Sequence, residues 1–315
     1  MKKDKKFYTS IGGQAVMEGV MMRGPAETAI AVRKPDGEIT VEKSPNNSIT
    51  AKVKLFKWPL IRGCVSFIES MIVGTKALMF SASFFDLEGE PDEKPSKVEA
   101  WLENTFGDKL KDVIIGFSIV LSLLVSVGLF ILLPTFITNF FHIQSNSLKT
   151  SVEGVIKIAI FLGYLVAVSQ MKDIKRVFEY HGAEHKTIHC YEAGDALTPD
   201  NVRRHSRLHP RCGTSFLLIV LVVSIVTFIL IPNGGALPWI ARVGYKLLLL
   251  PLVAGIAYEI IRFAGRHNNR FTRIISAPGM AFQYITTREP DDTQIEVAIR
   301  ALDAVKPQAK EDAKW

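Results

Sequence analysis

The sequence predicts a mainly α-helical membrane protein, with about four transmembrane helices and a small cytoplasmic α+β part that includes an N-terminal β-hairpin. Three observations lead there. Apolar residues are gathered into long runs, bases cluster in the segment between the second and third runs, and two β-rich stretches flank a Pro-Asp-Gly turn near the start. Composition agrees: the 315 residues are 48% hydrophobic and 22% charged, with mean hydropathy +0.20 and net charge +7. Bases set beside apolar runs favour anionic lipid over nucleic acid. Membrane lipids are therefore an expected partner, and nucleic acid is not.

The opening MKKDKKFYTSIGG has a basic start without an apolar h-region, so no cleavable signal peptide is expected. IGGQAVMEGVMMRGP (11–25) carries four glycines, Glu18 and Arg23. It reads as a tight turn with a salt bridge, or alternatively as a loop closing over a site with Glu18 as a metal ligand or acid/base. In 27–44, Pro35 presets φ and Gly37 permits positive φ between two β-rich runs, which is a hairpin signal. Segment 64–85 is apolar but interrupted by Glu69 and Lys76, and reads as an amphipathic or re-entrant helix. If it spans, the count becomes odd and one terminus moves outside. Segment 86–112 reads as an acidic loop followed by a short amphipathic helix.

The four predicted spans are 113–134, 155–170, 216–232 and 247–263, the last interrupted by Pro251 and carrying Glu259. A span needs roughly 20 residues, with a lower bound near 17, so the first qualifies outright and the others are short. Between the second and third lie Lys172, Lys175, Arg176, Lys186, Arg203, Arg204, Arg207 and Arg211, whereas the other two connections offer only Lys149, Arg242 and Lys246. The positive-inside rule then puts the central segment and both termini in the cytoplasm of a multi-pass cell-membrane protein. Near the C-terminus, Pro278-Gly279 has turn chemistry, within a polar run of no derivable role. The stretch TQIEVAIRALDAV reads as a helix with Thr293 and Glu296 in capping-box spacing. The implied divisions are 1–63 (β-containing), 64–112 (helix and acidic linker), 113–263 (membrane core with a His-rich insertion at 172–212), 264–305 (C-terminal cytoplasmic segment) and 306–315 (disordered tail).

YHGAEHKTIHCYEAG carries the chemistry. His181, His185 and His189 recur every fourth residue, with Glu184 and Glu192 among them. At about 100° per residue these histidines and Glu192 share one stripe of a helix, with Glu184 just outside it. No proline occurs from Val155 to Ala193, so the second span is expected to run on as one helix, with a kink possible at Gly182. Residues i and i+8 lie about 12 Å apart along the axis, so two histidines rather than three are expected on one ion. His181-Gly182-Ala183-Glu184-His185 fits H-x-x-E-H, in which two histidines bind zinc and the glutamate is general base; His185 with His189 is the alternative pair. RRHSRLHPRCG adds His205, His209 and Cys212. Five of the seven histidines thus fall within 32 residues, in two ligand-rich stretches that suit a composite divalent-metal site, zinc above all. Glu184 or Glu192 would take a proton there. The competing reading is a solvated helix face, with the arginines on lipid phosphates and Cys212 buried at the start of the third span. Cys64, Cys190 and Cys212 are too few and too unevenly spaced for a disulfide framework, and Cys64 reads as a packed side chain. Glu259 either pairs with Arg262 or marks a transport path.

Together, GGQAVMEGVMMRGP, EYHGAEHKTIHCYE, HPRCGTSF and PGMAFQYITTREPDD resemble the YqhQ-like family of bacterial multi-pass membrane proteins, over about residues 11–304. The family is a domain of unknown function described as a predicted metal-dependent enzyme. The resemblance implies a membrane protein and favours the metal reading, without choosing among histidine pairs. The function expected is a metal-dependent hydrolase acting at the cytoplasmic face on a membrane-associated peptide or lipid-linked substrate. The alternatives are a non-enzymatic scaffold binding an unknown protein, or a small transporter formed by oligomerisation.

Overall fold

The computed structural model describes residues 8–46, 48, 53–85, 110–231, 237–266 and 269–307. Most of the expected acidic linker, His267 and the tail from 308 onward lie outside them. Four strands come first, β1 (Gly12–Val16), β2 (Gly19–Arg23), β3 (Glu27–Arg33) and β4 (Ile39–Pro45), joined in sequence order as one antiparallel sheet. Helices follow: α1 (Ile61–Ala82), α2 (Leu110–Val127), α3 (Leu133–Asn139), α4 (Asn146–Val168) and α5 (Lys172–Ala193). The chain ends with α6 (Pro199–Arg203), α7 (Thr214–Ile229), α8 (Trp239–Arg266), α9 (Arg270–Thr286) and α10 (Asp292–Val305).

The expected hairpin is β3–β4, with Gly37 at φ 87° in its turn. The glycine-rich segment before it is not a loop but the β1–β2 hairpin, paired from Gly12↔Arg23 to Val16↔Gly19. Glycine weakens strand propensity, and pairing of β2 with β3 overrides it. Alternation survives on one face, where Val20, Met22, Ala29 and Ala31 are buried.

Among the described residues, four helical segments are long and apolar enough to cross a membrane: Ile61–Ala82, Gly116–Asn139, Asn146–Val168 and Trp239–Ala264. The expected third span is α7, whose 16 residues reach only about 24 Å. Helix α4 begins nine residues before the expected second span and takes in Lys149 and Glu153, charges that mask its start. The expected continuation of α4 into α5 does not occur. Met171 is extended at ψ 137° and caps α5, and the Ser169 carbonyl accepts a hydrogen bond from Arg288 at 3.3 Å.

The chain forms two compact units, residues 1–85, 163–227 and 249–315 in the first, 86–162 and 228–248 in the second. In the first, the sheet, α5 and α10 enclose one core around Met22, Tyr180, Ile188, Ile295 and Leu302. Each such side chain contributes roughly 1.5–3 kcal/mol on full burial. Helix α1 packs its C-terminal half on the sheet, with Ala77 against Val16 and Met21, and the Ser81 hydroxyl accepts from the Met17 amide. Its other end crosses α8 where Gly63 meets Gly255, the kind of small-residue contact that lets two backbones approach. Glu259 pairs there with Arg62 at 2.6 Å and not with Arg262, because the crossing brings α1 alongside. The Cys64 thiol packs on the Pro251 carbonyl at 3.0 Å.

Two local readings shift. Pro278 lies inside α9, and Gly279 there admits Ser215 against the helix, so proline and glycine serve packing rather than a turn. The capping box of α10 is Asp291 with Gln294, two residues earlier than Thr293 and Glu296; Glu296 instead pairs with Arg33. Asp291→Ala should lower stability by about 1 kcal/mol, read as a fall in the thermal midpoint of detergent-purified protein.

Candidate metal centre

Helix α5 is polar in composition, yet every residue from Tyr180 to Ile188 is buried. A polar helix enclosed on all sides must find a partner for each donor and acceptor. The partners come from three stretches. The first is the loop 204–213, the second is the end of α9, and the third is the N-terminal segment running into β1.

His181 donates from Nδ1 to the Thr286 carbonyl at 2.9 Å, and His185 from Nδ1 to the Arg207 carbonyl at 2.6 Å. A carbonyl only accepts, so each ring carries its proton on Nδ1 and presents a bare lone pair at Nε2. Metal-binding histidines are oriented in this manner, with the outer nitrogen held by a carbonyl or carboxylate. The two rings lie 4.4 Å apart between centroids. His181 Nε2 faces the Cys212 sulfur at 3.2 Å, while His185 Nε2 is fully enclosed and has no hydrogen-bond partner. His181, His185 and Cys212 offer donor atoms that all lie within 4.8 Å of one another. Bond lengths of roughly 2.0 Å to nitrogen and 2.3 Å to sulfur put tetrahedral zinc ligands about 3.5 Å apart. The orphaned His185 nitrogen and the two-histidine, one-thiol donor set therefore fit a zinc-like ion. Thr214 supports the sulfur, with its hydroxyl at 3.1 Å and its amide at 3.4 Å.

Glu184 completes the pocket. Its Oε2 lies 3.8 Å from His181 Nε2 and 4.0 Å from His185 Nε2, and its residue is 4% exposed. Burial pushes its carboxyl up to about 7, against the opposing pull of His181 and of the Gly13 amide that donates to it. A side chain at Gly13 would run into the Glu184 carboxyl group. The glycine-rich hairpin thus covers the site through Gly13, whereas Glu18, strained at φ 47°, faces away and is bound by Arg176 and Tyr180.

The remaining candidates form two other groups. His189, Glu192 and His209 lie together, but Arg211 occupies them, bonding Glu192 and reaching His209 Nε2 at 3.2 Å. Burial holds His209 neutral, well below the ordinary imidazole range, and lowers His189 to about 4. Glu192 also accepts the Thr9 amide at 2.8 Å. A guanidinium there opposes a second cation. His205 stands apart, paired with Asp195 at 3.0 Å near Cys190.

Gln283 was not singled out by sequence reasoning. It is wholly buried and clamps the His209 backbone from both sides, accepting at 2.7 Å and donating at 2.8 Å. The polar run after Pro278 likewise has a role, since its Thr286 carbonyl orients His181. A glutamine one turn before two threonines was the only signal. Alongside, a cavity of about 540 Å³ is lined by Ser169, Glu179, Arg207, Tyr284 and Arg288 among others.

Fold and site together define a protein with bilayer-length apolar helices and a buried His/Cys/Glu pocket roofed by a small antiparallel sheet. The chain belongs to the family described as protein of unknown function (DUF1385), whose model matches residues 58–308. It is 36% identical over 300 residues to the uncharacterized protein YqhQ of Bacillus subtilis (strain 168), covering 94% of this chain and 92% of that one. No solved structure matches it.

Proposed function

We propose that the protein is a metal-dependent membrane enzyme, a hydrolase whose ion, most simply zinc, is held by His181, His185 and Cys212. The observation that carries the reading is the buried, partnerless Nε2 of His185, aimed into a pocket shared with His181, Cys212 and Glu184. Three protein ligands with a fourth position open is the pattern of catalytic rather than structural zinc. A bound ion would supply Lewis acidity toward a carbonyl or phosphoryl oxygen. Glu184, poised near neutrality, accepts a proton from water at Oε2 and returns it to the leaving group. Arg207 and Arg288 line the neighbouring cavity and suit the polar end of a membrane-associated peptide or lipid-linked substrate.

The sheet, α5 and α10 share one core, so they must lie on one side of any bilayer the chain crosses. An even number of crossings between them follows, which α2–α3 with α4, and α7 with α8, provide. Helix α1 then stays on the sheet's side, where Ala77 and Ser81 hold it. The bases between α4 and α7 support reading that side as the cytoplasm of a cell-membrane protein.

Elemental analysis of detergent-purified protein tests the reading: near-stoichiometric metal is expected, and Glu184→Gln should retain it while abolishing turnover. A trace metal content unaffected by reloading would favour a scaffold instead. Thr214→Val, which removes the hydroxyl beside the Cys212 sulfur, should weaken metal roughly 10–100-fold with the fold intact, measured by competition with a chromogenic chelator.

A further inference from the structure

The second unit contains a buried charge cluster far out of balance. Helix α4 places Lys149, Glu153 and Lys157 on one stripe at intervals of four, and α8 places Arg242 and Lys246 likewise. All five are nearly inaccessible, with Glu153 and Arg242 at 3% exposed and Lys246 at 1%. Glu153 is the sole buried carboxylate of this unit among the described residues, against four buried cations of which two contact it. Its two oxygens are shared: one accepts from Lys246, the other from Arg242 Nη2 at 3.0 Å. Lys246 also donates to the Thr135 hydroxyl at 2.9 Å. Lys157 lies deeper, over the Phe228 ring at 5.0 Å.

Buried lysines can shed a proton, but arginine cannot. It is on the arginine that the shortage shows, because Arg242 Nη1 is fully enclosed and has no hydrogen-bond partner. Glu153 satisfies only the Nη2 side of the guanidinium, so the buried Nη1 calls for a further anion. The cluster opens at one end, where Lys149 Nζ reaches the exposed Asn139 side chain at 3.4 Å. We propose that this cluster is a binding site for a phosphate group, received between Arg242 Nη1 and Lys149 Nζ. A guanidinium edge matches a phosphate oxygen pair in shape as well as charge. A phospholipid headgroup and free inorganic phosphate share this chemistry, and Lys149 and Arg242 lie less than one helical turn from the starts of α4 and α8, within reach of either.

The test uses full-length protein, delipidated in neutral detergent, with thermal unfolding followed at constant ionic strength. Inorganic phosphate, or mixed micelles containing phosphatidylglycerol, should raise the midpoint saturably by roughly 2–4 °C. Chloride and a phosphate-free lipid such as diacylglycerol should not. A response to phosphatidylglycerol alone assigns a lipid, and a response to inorganic phosphate assigns a free anion. Arg242→Gln and Lys149→Met should each abolish the shift; Lys149 sits at the open end, so its variant still reports if the arginine variant does not fold. No saturable shift with either phosphate source, or an undiminished shift in Lys149→Met, overturns the proposal.

Discussion

Purified His185→Ala protein is expected to carry almost no metal where the unaltered chain carries close to one equivalent. The reason lies in the tautomer. With Nδ1 donating to the Arg207 carbonyl, the lone pair of His185 can only be at Nε2, and that atom meets no donor. Removing the ring leaves His181 and Cys212, too few ligands for retention through purification. Cys212→Ser should behave alike, because a hydroxyl is a poor substitute for a thiolate toward zinc. His209→Ala is the informative control. Its ring sits 5.5 Å from that of His185, yet its Nε2 is taken by Arg211, so the metal should remain. Full metal in His185→Ala, or its loss from His209→Ala alone, would place the ligands elsewhere and end the assignment.

Gly182→Ala should severely destabilise the protein, by about 3 kcal/mol or more. Intrinsic helix propensity predicts the opposite, a gain of about 1 kcal/mol for the same change. The sign therefore discriminates. A methyl group at Gly182 would overlap the Arg288 carbonyl oxygen and press on Pro290. That segment cannot retreat freely, since Arg288 donates its amide to the Phe178 carbonyl and Thr286 holds His181. Thermal unfolding in detergent would read the change, with metal content falling in parallel. A midpoint equal to or above the parent's would mean that α5 and the 286–290 strap are not in contact.

Much of this architecture was legible because it rests on local pattern. The β3–β4 turn follows from Pro35 and Gly37, and α10 from its apolar period. The histidine stripe was legible too, because a four-residue interval puts His181 and His185 on one face. Which pair faces Cys212 depends on contacts from residues about a hundred positions away, such as Thr286, and no spacing rule reaches that far. Composition misled where tertiary contact overrides propensity. The glycines of β1 and β2 concealed strands, and Lys149 and Glu153 concealed the start of α4 by putting charge where a span was expected to be apolar. Glycine at 182 looked like a weak point in a helix and is instead a docking notch.

The anchoring of His181 by the Thr286 carbonyl has a consequence for biogenesis. During synthesis on the ribosome, the imidazoles of α5 emerge roughly a hundred residues before the backbone group that orients one of them. Every apolar helix is synthesised before that carbonyl, and the roof over Glu184 must wait, already translated, for its floor. Closure of the pocket is thereby a terminal step in maturation, and a chain released early, short of its last two helices, would bear His181, His185 and Cys212 without the carbonyl that orients the first.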